Sequence, residues 1–250
     1  MNREEFKNYL EKEEGLSFKG WDFSHLENRW EEEKLPWDYE SILKSYLKDD
    51  FKLLDMGTGG GEFLLSLNHP YKNTSITENW EPNIKLCKEK LSPLGIGVFE
   101  VLRDDELPFE DDTFDLIINR HASFDLKEVY RILKPKGIFI TQQVGGKNNE
   151  ILSKRLIKGF RPKYSNNNLK NSLKKAEDNN FEVILGKEVY PYLRFKDLGA
   201  LVYFAKIIEW EFPGFTVQNS FEELVKLKEE IEEKGFVYSL EHRYIVVLKK

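Results

Sequence analysis

The chain has one cysteine, Cys87, in 250 residues, so it can form neither an intrachain disulfide nor a cysteine-rich zinc site. No metal is expected. It also lacks any apolar run of membrane-spanning length. The opening "MNREEFKNYLEKEEGL" has none of the apolar centre of a secretory leader. Basic excess is missing too: 38 Lys and Arg face 44 Asp and Glu, for a formal net charge of −6. That balance gives no overall attraction to nucleic acid or to anionic membranes. A soluble, cytoplasmic protein without a membrane partner is the expectation, and the sequence leaves its oligomeric state open. With 40% hydrophobic and 14% aromatic residues, the chain has enough apolar matter for a core, which argues against disorder.

Glycine, by contrast, is concentrated. In "KLLDMGTGGGEFLLSL", Gly57, Gly59, Gly60 and Gly61 separate an apolar strand-like run from an apolar pattern at helical spacing. Glycine tolerates positive φ and close backbone approach at an entropic cost, so such a cluster predicts a strand, a ligand-facing turn and a helix. In an α/β sheet such a turn lies at the carboxyl ends of the strands, where ligands bind. Strand-like and helix-like segments then alternate: "NTSITENW", "EPNIKLCKEKL", "IGVFEVL", "FDLIINR", "FDLKEVYRIL" and "KGIFITQQV". This alternation predicts a parallel sheet with helices on both faces. A nucleoside-bearing ligand in the loop would need an acid about twenty residues on for its ribose, and Glu78 stands there. It would also need a polar group after the third strand for the adenine edge, where Asp104 and Asp105 are both available.

The glycine loop, Glu78, "DDELPF", "FDLIINRH" and "VYRILKPKGIFI", in that order over about residues 51–144, resemble the successive motifs of class I S-adenosylmethionine-dependent methyltransferases. The resemblance implies a Rossmann-like α/β fold: a seven-stranded, mostly parallel sheet ordered 3-2-1-4-5-7-6, with "HRYIVVLKK" as the antiparallel last strand. It implies S-adenosyl-L-methionine as cofactor and S-adenosyl-L-homocysteine as product. Asp55 would orient the loop and help place the methionine moiety, and Gly57, Gly59 and Gly61 would let the backbone approach the nucleoside. Asn119 would complete the cofactor side. The glycines form G-x-G-x-G rather than the G-x-G-x-x-G of dinucleotide sites, which leaves a nicotinamide-dependent dehydrogenase as a weak alternative. The chain departs from many relatives at Leu102-Arg103-Asp104, where they carry Gly-Asp-Ala, so the adenine contact can shift by a residue.

Residues 1–50 read as an N-terminal helical cap and 51–250 as the methyltransferase domain, with a lid-like aromatic insertion at about 191–215. Trp21, Asp22, Arg29, Trp37 and Tyr39 in the cap, and Arg194 and Asp197 in the insertion, are expected around the methyl acceptor, because broad aromatic surfaces with a few polar groups suit a small organic molecule. Arg120 and His121, after the fourth strand, complete the set, with His121 the candidate base. Two alternatives remain. The basic stretch 151–175 would serve an RNA or protein methyltransferase, and a non-catalytic S-adenosylmethionine-binding protein would keep the same fold.

Overall fold

The computed structural model describes residues 1–18 and 23–250. Trp21 and Asp22 lie outside the described residues. In chain order the elements are α1 (Arg3–Glu14), β1 (Trp30–Glu32), α2 (Tyr39–Tyr46), β2 (Leu53–Met56), α3 (Glu62–Ser66), β3 (Thr74–Glu78), α4 (Glu81–Lys90), β4 (Gly97–Glu100), β5 (Phe114–Arg120), α5 (Leu126–Ile132) and β6 (Leu133–Val144). Then follow α6 (Glu150–Leu156), α7 (Leu169–Asp178), β7 (Glu182–Val189), β8 (Tyr192–Phe195), α8 (Leu198–Ile207), α9 (Val217–Lys234), β9 (Val237–Leu240) and β10 (Arg243–Lys249). They form two compact units: Met1–Leu35, Gly145–Asn166 and Val189–Arg243 in the first, and Pro36–Val144, Asn167–Glu188 and Tyr244–Lys250 in the second.

The second unit carries the seven-stranded sheet, in the order β4-β3-β2-β5-β6-β10-β7. Counted within this sheet, that is the expected 3-2-1-4-5-7-6. The β2, β3, β4, β5 and β6 ladders are parallel. Lys136 N–H donates to Lys250 O and Lys250 N–H to Gly137 O, so the chain's end meets the start of β6 and β10 runs antiparallel to it. β2 is buried throughout, as the centre of a sheet covered on both faces must be. Leu54, Ile117 and Phe139 from three adjacent strands pack with Val129, Ile132 and Phe181, each fully buried side chain contributing about 1.5–3 kcal/mol. The registers Met56↔Thr77 and Met56↔Asn119 bring the ends of β2, β3 and β5 level. That alignment sets the loops carrying Gly57, Glu78 and Arg120 along one edge.

The first unit holds the three-stranded sheet β1-β8-β9. Its core joins Phe6 and Leu10 of α1, Leu201 and Phe204 of α8, and Leu224 of α9. The sequence reads as helical around "NRWEEEKL", yet Trp30–Glu32 is a strand, antiparallel to β8 with Trp30 opposite Phe195. Glu31 stands opposite Arg194 and accepts the Tyr192 hydroxyl at 2.9 Å, so contacts from the neighbouring strand offset the helix preference of the glutamates. The 191–215 segment is β8 followed by α8, which Asp197 caps through the Ala200 N–H. No helix among the described residues is long and apolar enough to cross a membrane.

Candidate functional site

The glycine loop leaves β2 with three left-handed residues: Gly57 at φ +70°, Gly59 at +67° and Gly61 at +80°. Only glycine takes this conformation without a penalty, and that accounts for the clustering. Their surroundings differ. A Cβ on Gly57 would lie 2.3 Å from that of Ala122, whereas a Cβ on Gly59 would meet nothing within 4 Å. Gly57 is therefore fixed by internal packing, and Gly59 faces open space where a ligand can approach the backbone. Gly57→Ala is expected to lower the melting temperature well beyond Gly59→Ala, which carries only the left-handed penalty of about 1–2 kcal/mol. S-adenosylhomocysteine titrations on both variants should show Gly59→Ala losing more affinity than its small stability loss implies. Equal melting temperatures would contradict this division of roles.

The loop is tied down by its acids. Thr58 donates its hydroxyl to Asp55 Oδ2 at 2.6 Å, and Gly57 N–H donates to Thr77 O at 2.9 Å. Glu78, buried at the end of β3, accepts Gly59 N–H on Oε2 at 2.9 Å. Its Oε1 accepts Asn79 N–H at 2.9 Å and Trp80 N–H at 3.1 Å. Asp55 is also buried, and its carboxyl is pushed up to about 6. Burial is the main cause; the Glu78 charge adds to it, while the Thr58 hydroxyl and the Arg120 guanidinium oppose it. Two acids meeting under a glycine loop favour a cationic ligand there.

Asn119 is wholly buried and fully engaged: its amide donates to Met56 O at 3.2 Å, while its Oδ1 accepts the Thr141 hydroxyl at 2.9 Å and the Gln143 amide at 2.6 Å. It joins β2, β5 and β6 at the level of the loop. Tyr39 donates its hydroxyl to Asn119 O at 3.2 Å, and burial together with the Asp55 charge raises its pKa. Trp37 donates its indole N–H to Gln142 at 2.8 Å. Tyr39 packs on Phe63, over which Arg120 sits 4.6 Å from the ring centre. His121 is exposed and left-handed at φ +67°, its N–H donating to Gln142 O at 2.9 Å. A non-glycine residue in this region is uncommon, and such residues gather at functional sites.

The two aspartates after β4 differ. Arg103 grips Asp105 with two hydrogen bonds of 3.0 Å, while Asp104 makes no hydrogen bond or ion pair with any described residue.

In the first unit, Arg29 is held by Asp197 at 2.6 Å and Glu13 at 3.0 Å, and also donates to the Tyr9 hydroxyl. Against the upward push of burial, Arg29 keeps Asp197 below the usual carboxylate range. These two residues are thus joined in one network with α1. Arg194 stacks on Tyr192 and Phe236, 4.1 Å and 4.6 Å from the ring centres. The basic stretch is paired in part: Arg155 binds Glu223 and Glu230 of α9, Lys154 binds Glu150 and Lys174 binds Asp178.

Sequence reading passed over Trp80 and Leu102, two large exposed apolar residues just beyond the ends of β3 and β4. Apolar bulk left in water beside Glu78 and Asp104 suits the faces of a planar base. The signal for Trp80 was present: an aromatic two residues after a strand-end acid, ahead of Glu81 and Pro82, which open α4. Gln143 and Thr141, which fix Asn119, carried no comparable signal.

A family model described as a methyltransferase domain matches residues 54–141. A carboxy-S-adenosyl-L-methionine synthase from Nautilia profundicola is 29% identical over 127 residues, which are 46% of this chain and 54% of that protein. A phthiotriol/phenolphthiotriol dimycocerosates methyltransferase from Mycobacterium tuberculosis is 36% identical over 90 residues, 32% of either protein. The chain thus spans about half or less of the length of these curated relatives. Among solved structures, the YcgJ protein from Bacillus subtilis superposes with a TM-score of 0.56 at 15% identity, covering 85% of this chain and 97% of that one. That likeness bears on the fold alone. The segment from β2 to β6 thus matches a methyltransferase domain, and the sheet order and the left-handed glycine loop have the form expected of that fold.

Proposed function

We propose that this protein transfers a methyl group from S-adenosylmethionine to a small organic acceptor. The observation that carries the reading is the cradle at the ends of β2 and β3, where Gly59 opens to space while its N–H is fixed by Glu78. The residues fit the cofactor: Glu78 for the ribose hydroxyls, Asp104 for the adenine amine, Trp80 and Leu102 for the base faces, and Asp55 beneath the methionine moiety. When bound, S-adenosylmethionine supplies a methyl group on a positively charged sulfur. The chain's own part is to hold the loop, neutralise the cofactor's positive charge and keep acceptor and donor in line, an effect that can carry much of the rate. His121, exposed beyond β5, is placed to take a proton from an acceptor that must lose one. Cytoplasmic localisation belongs to this reading as well.

Net charge favours a small molecule over RNA, and Arg155 of the basic stretch is already committed to two glutamates. The names of the two curated relatives point the same way. The test is incubation with S-adenosylmethionine labelled on its methyl group, with total RNA, total protein and a metabolite extract as separate acceptors. Label is expected in the metabolite fraction. Robust RNA labelling, abolished by charge reversal at Lys158 and Lys163, would establish the opposite acceptor class.

A further inference from the structure

The first unit contains a polar cluster that the methyl-donor site does not use. Glu211 is bound on one oxygen by the Asn148 amide at 2.6 Å and on the other by the Asn149 amide at 2.8 Å. Asn148 Oδ1 accepts the His242 N–H at 2.7 Å and an Arg243 guanidinium N–H, and Arg243 also pairs with Glu241. Glu32 joins through the same arginine's field and makes no hydrogen bond with any described residue. Glu241 thus pairs with the guanidinium, whose charge also acts on Glu211 and Glu32. His242 Nδ1 accepts the Lys147 N–H at 3.2 Å, and the Lys147 ammonium lies over the Tyr190 ring, 6.0 Å from its centre.

A second observation is independent of the acids. Asn149 is completely buried, and its Oδ1 has no hydrogen-bond partner. An asparagine ahead of a helix ordinarily caps it, but this side chain makes no capping bond to α6 and turns to Glu211 instead. An orphan buried acceptor costs about 1–3 kcal/mol. Beside surplus carboxylates it calls for a ligand that donates hydrogen bonds and carries positive charge. No group of His, Cys, Asp or Glu among the described residues is spaced to hold a metal ion, which leaves an organic cation.

The geometry points to a recognition site for a protonated amine or guanidinium group, held by Glu211, Glu241, Glu32 and the Asn149 carbonyl. Burial and the charges of Glu32 and Glu211 push Glu241 up to about 7 against the pull of Arg243, and burial raises Glu211. A bound cation favours the ionised carboxylates, so binding releases protons and tightens from pH 6 to pH 8.

Calorimetric titration of the full chain with agmatine, putrescine and phenethylamine tests this, with 1,4-butanediol as the uncharged control. At least one amine is expected to bind with Kd below about 1 mM at pH 8, more weakly at pH 6, and the diol not at all. Glu32→Gln should weaken the amine at least fivefold while leaving S-adenosylhomocysteine affinity and melting temperature unchanged; Glu211→Gln should weaken it further. Binding by no amine, equal binding of the diol, or amine affinity untouched by both substitutions overturns the site. S-adenosylhomocysteine binding without amine binding removes this inference alone. Amine binding without S-adenosylhomocysteine binding removes the methyltransferase reading and leaves the amine site standing.

Discussion

Asp55→Asn is expected to make the protein more stable at pH 8 while weakening S-adenosylmethionine binding at least tenfold. The Asp55 carboxyl sits at about 6 in the folded chain, against 3.8 ordinarily, because burial disfavours its charge more than Thr58 and Arg120 favour it. An acid whose folded value is raised binds more protons folded than unfolded between about pH 4 and 6, so stability falls as pH rises through that window. The full penalty applies above pH 6, at about 3 kcal/mol for a shift of this size. Asparagine carries no charge and keeps an oxygen for the Thr58 hydroxyl, so it escapes most of that cost. Melting curves should separate the two proteins by several degrees at pH 8 and bring them together near pH 4. The cofactor's positive groups would draw the Asp55 charge back into use, so wild-type affinity should fall as pH drops through 6, and the variant's should not. A stability difference independent of pH would sink the account.

That charge under the loop was legible in the sequence only as an acid next to glycines. The alternation of strands and helices, the loop and Glu78 were readable from local patterning, namely apolar runs, turn residues and the spacing of one acid from the glycines, while the strand order came from the family resemblance. What escaped has its cause far along the chain. Trp30 is a strand residue because Phe195 lies opposite it, and nothing near Trp30 states that. Arg155 reads as one more basic residue in a stretch without acids because its partners, Glu223 and Glu230, stand on α9. The first unit draws on three separate segments, so the cluster of Glu32, Asn149, Glu211 and Glu241 exists only after folding. Asn119 was placed correctly at the end of β5, but its burial and its bonds to Thr141 and Gln143 belong to the neighbouring strand.

Glu78→Gln should cost the protein both its loop and its ligand. The wild-type carboxylate accepts Gly59, Asn79 and Trp80 N–H groups at 2.9–3.1 Å, and the Asn83 amide reaches it only at 3.4 Å. The short bonds use both oxygens. Glutamine has one oxygen, so either Gly59 or the pair of Asn79 and Trp80 must face an NH2 group, donor against donor. An N–H left unsatisfied costs about 1–3 kcal/mol, and exchanging an ionised for a neutral acceptor weakens the bonds that survive. Thermal stability is therefore expected to fall by several degrees. The ribose hydroxyls would enter beside Oε2, displacing the long Asn83 contact, so S-adenosylhomocysteine affinity should drop far more than stability does. Asn83→Ala supplies the contrast: it removes only the weak bond that the ribose would replace and should leave affinity within about twofold of wild type. A large loss of affinity in Asn83→Ala, or an unchanged titration in Glu78→Gln, would place the ribose elsewhere along the edge. Amide exchange at Gly59 reads the loop directly, and its protection should vanish in Glu78→Gln without ligand while persisting in Asn83→Ala.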